Sequence, residues 1–308
     1  MIPVVVAAKN EESAIGACLE ALLRAVEHAR PLDLAIRVVC DDCTDATEAI
    51  ARAHGVEVVR SSGGKIAAQR LGSDVDAPFY VFCDADVVVS PDALVALTEA
   101  MADPRVLAAS VPRVPVRPLR RTALAEAAYV YNLRRGFRVE AGWISGRLFA
   151  VRRYDVPDVR GDAGDRFLSL ERGLLAEDLY LSRRARHEGG PEAIVETTAG
   201  RAYFRPPETL RGLYRYYRRL RRESERTDAL VPELRSAVVH RRTDRRALER
   251  APLHEQRAFH LFLRTIRLLE VGYRVERAVR RVLRRPGSAW ARVEESKRGI
   301  EACELPVE

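Results

Sequence analysis

The 308 residues contain no uncharged apolar run approaching the ~20 residues that a helix needs to cross a bilayer, so an integral membrane protein is not expected. No basic stretch or cleavage site precedes the strand-like opening MIPVVVAAKN, so no secretory signal is read. The expectation is a cytoplasmic protein, at most resting on the inner face of a membrane. Cysteine is sparse: Cys18, Cys40, Cys43, Cys83 and Cys303. Cys40 and Cys43 have C-x-x-C spacing, but no second such pair and no His pair completes a four-ligand zinc site, so they read as reduced structural thiols. Low-complexity tracts and internal repeats are also missing. What is present is an ordinary 47% hydrophobic content, enough at this length for one large domain or a domain and a half. The formal charge of +8 is uneven. Residues 201–308 hold 27 Lys and Arg against 15 Asp and Glu, leaving 25 against 29 in residues 1–200. The basic character belongs to the C-terminal third, which implies a separate role there.

The stretch that organises the rest is FYVFCDADVVVSPDAL. Phe79 to Cys83 is apolar and uncharged, as a strand buried on both faces would be, and it ends in Asp84-Ala85-Asp86. Open α/β sheets bind ligands in the crevice beyond the strand ends. Two acids there need neutralising, and Mg²⁺ or Mn²⁺ does so with one or two carboxylates plus water and substrate phosphate. The plainer reading is a turn followed by a helix cap at Ser90-Pro91-Asp92, opening a helix over 93–101.

Around it, strand and helix alternate. A strand over Ile2 to Ala8 leads through Asn10-Glu11-Glu12-Ser13 to a helix carrying Ile15, Leu19, Leu22, Leu23 and Val26. Leu34 to Val39 is a second strand closing on Asp41-Asp42, and Thr44-Asp45 starts a second helix. Val56 to Val59 is a third strand, and Gly63-Gly64-Lys65 leads to a helix over 66–71. Ser13 and Asp45 read as helix caps. This order predicts an α/β fold with a mostly parallel sheet. Its strand ends would gather Asn10, Glu11, Asp41, Asp42, Gly64, Lys65, Asp84 and Asp86, a set suited to a nucleotide diphosphate: carboxylates for base or ribose, lysine and metal for phosphate.

Four motifs in order resemble those of family 2 glycosyltransferases of the GT-A fold. AAKNEE at 7–12 is similar to P-x-x-N-E with Ala7 for proline, and DDCTDAT at 41–47 to D-D-G-S-T-D, one residue short and without its glycine. GGKIAAQRLG at 63–72 is similar to G-K-x-x-A-x-N-x-G with Arg70 for asparagine, and Asp84-Ala85-Asp86 to D-x-D. The resemblance implies a GT-A domain flanked by helices, with a nucleotide-sugar half at 1–115 and an acceptor half at 116–227; residues 228–308 have no counterpart in it and read, from their own charge and apolar spacing, as a basic amphipathic helical extension. The resemblance places Ala7, Asn10, Glu11, Asp41, Lys65, Asp84 and Ala85 on the nucleotide sugar, a UDP-sugar before a GDP-sugar. Asp41 would touch the base, Lys65 the diphosphate or sugar, Asp84 the ribose and metal, and Asp86 the metal, Mn²⁺ or Mg²⁺.

In the second half, Val106 to Val116 is strand-like but broken by Pro112 and Pro115, so it reads as an edge or irregular ribbon. Arg121 to Phe137 reads as a helix, Trp143 to Val151 as a strand, and the polar segment 155–173 as a loop that orders over the substrates. By the resemblance Trp143, Ser145 and Gly146 back the donor sugar and acceptor; Trp143 as a core residue stands as the equal alternative. Glu177-Asp178 precedes a helix over 179–187, where acids suit the helix dipole. The resemblance assigns Asp178 as general base, with Glu177 beside it, which an acceptor hydroxyl requires. The helix after Thr209 carries Tyr216, Arg219 and Leu220 where processive members have Q-x-x-R-W. Arg219 is kept for the glycan, and the departure points to one or a few transfers rather than a polymer.

From Ala258 to Leu283 apolar residues keep helical spacing with arginines between. Such a helix packs on the catalytic domain or a second subunit, or lies on an anionic bilayer and receives a lipid-linked acceptor. A small-molecule acceptor, and retention rather than inversion with a GDP- or UDP-sugar, remain open alternatives. Readings of another class are a basic nucleic-acid or membrane-surface protein and a degenerate transferase. No nucleic-acid motif is present and acids punctuate the basic stretches, so no nucleic-acid partner is expected.

Overall fold

The computed structural model describes residues 1–134, 138–139, 143–153, 177–237, 242–283 and 297–305. The predicted substrate loop at 155–173 lies outside them. The chain opens with β1 (Ile2–Ala8), α1 (Ile15–His28), β2 (Leu34–Asp41), α2 (Thr47–Ala53), β3 (Glu57–Ser61), α3 (Lys65–Gly72) and β4 (Phe79–Asp84). Next come β5 (Val88–Val89), α4 (Ala93–Ala102), β6 (Ala108–Ser110), β7 (Arg113–Pro115), α5 (Ala123–Leu133), β8 (Arg138–Val139) and β9 (Leu148–Arg152). The last part holds α6 (Glu177–Gly189), β10 (Ile194–Glu196), β11 (Ala202–Phe204), α7 (Leu210–Leu230), β12 (Arg242–Thr243), α8 (Arg245–Glu249) and α9 (Leu253–Val282).

Seven strands form one sheet in the order β10-β6-β9-β4-β1-β2-β3. All neighbours are parallel except at β9, which runs antiparallel to both β4 and β6. The mostly parallel α/β architecture expected from the strand–helix alternation is therefore present. Val4, Val5 and Val6 of β1 and Tyr80, Val81 and Phe82 of β4 are almost wholly buried, as central strands covered on both faces require. Register positions the site: Ala7 lies opposite Asp84, Ala8 opposite Cys40, and Asp41 opposite Ser61, so four strands finish along one rim.

Several local expectations change. The Val106 to Val116 run splits at Pro112 into β6, which is interior to the large sheet, and β7, which belongs to a small sheet with β5 and β11. A proline that cannot donate a ladder hydrogen bond sits where the chain changes sheets. Ser13 does not cap α1; its Oγ donates to the Lys297 carbonyl at 2.8 Å. Asp92 does not cap α4 either, and instead accepts from Gly200 N at 2.9 Å and Ser90 Oγ at 2.5 Å, tying two loops together. Thr209 does cap α7, accepting from Gly212 N at 3.0 Å.

The long α9 lies on α5 and α7. Tyr131 of α5 stacks between Phe262 and Phe259, with centroids 4.2 and 5.5 Å away. Many arginines that made the C-terminal third basic are spent inside this packing. Glu276 receives Arg218 at 3.3 Å, Arg222 at 3.1 Å, Arg280 at 2.7 Å and Tyr214 Oη at 2.5 Å. Glu270 receives Tyr217, Arg221 and Arg274. Arginines of α7 and α9 thus converge on two acids of α9, which ties the two helices together.

Candidate active site

The rim begins where β1 ends. Asn10 takes the left-handed conformation (φ 55°), tolerable for asparagine, and its Oδ1 accepts from Thr44 N at 2.8 Å. That contact ties the loop after β1 to the loop after β2, where Asp42 is also left-handed (φ 47°). Asp41, 3% exposed, receives Gly64 N at 3.0 Å and the Lys9 ammonium at 3.1 Å. The glycine loop before α3 is therefore fastened to the end of β2.

Lys65, first residue of α3, joins two parts of the chain far apart in sequence. Its Nζ lies 2.7 Å from Asp84 Oδ1 and also pairs with Glu177 at the start of α6. Gln69 Nε2 donates to the same Glu177 oxygen at 3.2 Å. Burial works against the Lys65 charge, but Asp84 and then Glu177 outweigh it and hold the ammonium well above the ordinary lysine range. Asp84 is fixed through its backbone, with its N donating to the Arg147 carbonyl at 2.9 Å, because β9 pairs with β4 as far as Cys83 opposite Leu148.

That pairing brings the turn before β9 beneath α6. A Cβ built on Gly146 would meet Asp178 Oδ2 at 2.7 Å, so only glycine leaves room for this carboxylate. Asp178 Oδ1 accepts from Leu179 N at 2.8 Å, and its carbonyl accepts from Ser182 Oγ at 2.6 Å. Ser182 Oγ in turn accepts from Ile144 N at 3.0 Å, clamping the 143–147 turn to α6. Burial, and next the Glu177 charge, push the Asp178 carboxyl up to about 6. Beside Gly146, Ser145 Oγ is buried with no hydrogen-bond partner among the described residues. Trp143 is partly buried at the start of this turn.

Two groups on the rim were not anticipated. Glu223 of α7 is 6% exposed and faces the same acids. Burial, opposed by Arg219 and reinforced by Asp178 and Glu177, pushes it up to about 7. Arg219 Nε lies 3.8 Å from Glu223 Oε1 and its guanidinium stacks on Tyr216, 5.3 Å from the ring centre. Those contacts tie Arg219 to an acid one turn on along α7. The second group is Lys297, whose Nζ lies 2.6 Å from Glu11 Oε1 and 3.2 Å from Asp86 Oδ2. Burial disfavours the Asp86 charge, and Lys297 and Arg147 overcome it, holding that carboxyl below the usual range. No spacing signal could have found Lys297, since its partners are at the other end of the sequence.

Asn10, Glu11, Asp41, Lys65, Asp84, Asp86, Gly146, Glu177 and Asp178 thus stand along one continuous rim, with Ala7 and Ala85 in the strands and turn beneath it. All five cysteines are free thiols, with Cys18 and Cys83 donating to the Asp84 carbonyl from below. Among the described residues no helix is long and apolar enough to cross a membrane.

Residues 2–225 match the family described as glycosyltransferase like family 2. No curated protein sequence matches the chain. Similar solved structures include a mannosyltransferase from Pyrobaculum calidifontis, in complex with GDP-Man and Mn²⁺, at 17% identity, covering 92% of this chain and 79% of that one with a TM-score of 0.49. Glucosyl-3-phosphoglycerate synthase from Mycobacterium tuberculosis is 19% identical, covering 75% and 81%, with a TM-score of 0.48. TarS of S. aureus is 15% identical over 86% and 81%, with a TM-score of 0.44. With the family match spanning nearly three quarters of its length, the chain belongs to glycosyltransferase family 2 and is a glycosyltransferase.

Proposed function

We propose that this enzyme moves a sugar from a nucleotide-diphosphate donor, a UDP-sugar before a GDP-sugar, to an acceptor hydroxyl with inversion, one or a few sugars at a time. Residues 2–115 form the donor side and residues 116–227 the acceptor side. The observation that carries the reading is the placement of Asp178. It is a carboxylate pushed up to about 6, lodged over Gly146 and next to the Lys65–Asp84–Glu177 chain. A general base works best with its pKa near the working pH, and burial has moved this carboxyl towards it. Asp178 takes the acceptor proton as the acceptor oxygen bonds to the anomeric carbon. The bond from that carbon to the diphosphate breaks on the opposite face, and the nucleoside diphosphate leaves.

The donor chemistry fits a divalent cation. Asp84 and Asp86 offer hard carboxylate oxygens two residues apart on the rim. Among the described residues no group of three or more His, Cys, Asp or Glu could hold a metal alone, so the remaining ligands would be diphosphate oxygens and water. When bound, Mn²⁺ or Mg²⁺ would offset the charge gathering on the leaving diphosphate. Lys65 sits where it steadies both Asp84 and Glu177 and presents an ammonium to the donor. Ser145, with its buried hydroxyl, and Trp143 line the way to the acceptor side. The test is a thermal-shift screen of UDP-, GDP- and dTDP-sugars with and without Mn²⁺, followed by assay of Asp178→Asn, which should bind donor but not transfer. The anomer of the product, read by NMR, decides between inversion and retention.

A second element concerns where the acceptor comes from. Beyond the face that α9 packs on α5 and α7, it carries a second apolar stripe. Leu261, Leu268, Val275 and Val282 recur every seven residues with Val271 and Val279 alongside, all exposed, and Leu268 is 71% exposed. Exposed Arg264 and Arg267 accompany the stripe. A second copy would bring arginines against arginines, whereas an anionic lipid surface matches both the apolar stripe and the charge. This favours peripheral contact with an anionic membrane and a lipid-linked acceptor.

A further inference from the structure

The last described segment, 297–305, is built into the active site. Gly299 N donates to the Ser13 carbonyl at 3.0 Å, and a Cβ on Gly299 would come within 2.4 Å of that oxygen, so the two backbones meet where only glycine fits. Ile300 is 4% exposed and packs in the same core as β1. The Glu304 carboxylate takes both of its oxygens to Arg205 Nη2 at 2.8 Å. The Arg205 side chain is 1% exposed, and Glu208 approaches it at 3.8 Å. A guanidinium this deeply buried requires its acids, so the segment is held by core packing and by a buried ion pair. The outcome of that anchoring is the position of Lys297, with its ammonium between Glu11 and Asp86, whose side chains are 6% and 9% exposed.

Two shielded carboxylates side by side need positive charge, and here the chain supplies it from its own C-terminal segment. Asp86 is also the carboxylate assigned above to the divalent cation, and this inference rests on that assignment. A lysine ammonium 3.2 Å from Asp86 Oδ2 and a divalent cation on the same carboxylate are like charges a few ångströms apart, and each weakens the other's hold on Asp86. Lysine suits an exchangeable partner: its charge is compact and its stem has several rotatable bonds, so it can withdraw without moving the anchored backbone. We propose that Lys297 holds the cation's place on Asp86, so that metal binding at the donor site requires the ammonium to turn away. Free metal then binds poorly, and the cation enters best with a nucleotide diphosphate, whose negative charge accommodates both positive groups.

The experiment is Mn²⁺ titration of the nucleotide-free protein, followed by calorimetry and by the electron paramagnetic resonance signal of free Mn²⁺. The variants are Lys297→Met, Lys297→Gln, which keeps a hydrogen-bond donor without the charge, and Lys297→Arg. Losing a charged hydrogen bond that competes with the metal should tighten Mn²⁺ binding about tenfold in the Met and Gln variants. Lys297→Arg should stay near wild type. The melting temperature of the Met variant should rise more on adding Mn²⁺ than that of wild type, since the metal then relieves an unpaired acid pair. Equal or weaker Mn²⁺ binding in both uncharged variants overturns the competition while leaving the metal assignment standing. No Mn²⁺ binding in any protein, with UDP or GDP present as well, overturns the metal assignment itself and the competition with it.

Discussion

Asp178 Oδ2 occupies the space that a side chain on residue 146 would need, with a Cβ at that position only 2.7 Å away. The glycine is thus a condition for this carboxylate to stand where it does. Gly146→Ala must displace Asp178 or the turn before β9. Misplacing a catalytic group by about 1 Å costs on the order of 100-fold in rate. The expected result is a loss of that size in kcat with donor binding kept, measured by steady-state kinetics and nucleotide titration. A Gly146→Ala enzyme with wild-type kcat would show that the position of Asp178 does not depend on this glycine.

Asp178 also sets a pH signature. Its carboxyl is pushed up to about 6, so as base it is lost when pH falls through that value. kcat/KM should decline about tenfold per unit below roughly pH 6, in keeping with one ionisation. Stability runs the other way. A carboxyl near 4 in the unfolded chain and about 6 when folded contributes stability that is complete below pH 4 and lost as pH rises through 6. Asp178→Asn should therefore raise the melting temperature relative to wild type more at pH 8 than at pH 4. The opposite order in paired melts would show that the folded carboxyl is not raised.

Lys65 holds Asp84 and the buried Glu177 together, so Lys65→Met leaves two acids facing each other without a cation. Removing one partner of a buried pair costs roughly 3–5 kcal/mol, and the partial exposure of Lys65 and Asp84 reduces this to about 1–3 kcal/mol. Chemical denaturation measures the loss, and Glu177→Gln in the Lys65→Met background should recover part of it. Donor affinity should fall in Lys65→Met and stay low in the double variant, because the phosphate loses its lysine in both. Recovery of donor binding would place Lys65 in a purely structural role.

The gathering of Asn10, Asp41, Lys65 and Asp84 on one rim was legible because its information is local. Each follows a strand by a few residues, and strand alternation brings the strand ends to one rim whatever the distant chain does. Asp178 was legible only as an acid pair opening α6; its dependence on Gly146 comes from β9 entering the sheet beside β4, which no local pattern encodes. Ser13 and Asp92 were misjudged for a related reason. Both have the chemistry of helix caps, but tertiary partners at Lys297 and Gly200 claimed their oxygens. Lys297 and the Arg205–Glu304 pair were invisible, since a lysine among charged residues looks solvated until the far end of the chain is known to close over β1. The arginines of α7 left a polyanion surface as an alternative reading, and only helix packing reveals Glu270 and Glu276 as partners of Arg218, Arg221 and Arg222.

The exposed stripe on α9 supports a last prediction. Burying apolar side chains in the interfacial zone and setting arginines against anionic headgroups are additive, each basic residue contributing about 1 kcal/mol near the surface. The protein should therefore float with vesicles containing phosphatidylserine or phosphatidylglycerol, bind phosphatidylcholine vesicles weakly, and dissociate as salt is raised. Leu268→Glu with Val275→Glu places acids in the stripe without touching Phe259, Phe262, Leu269 or Tyr273, which hold α9 to the domain. That variant should keep its melting temperature and its transfer to a water-soluble acceptor, while losing vesicle binding and transfer to a membrane-borne one. If wild type stays with buffer in flotation at low salt, or the double variant floats as well as wild type, the stripe is not a membrane face.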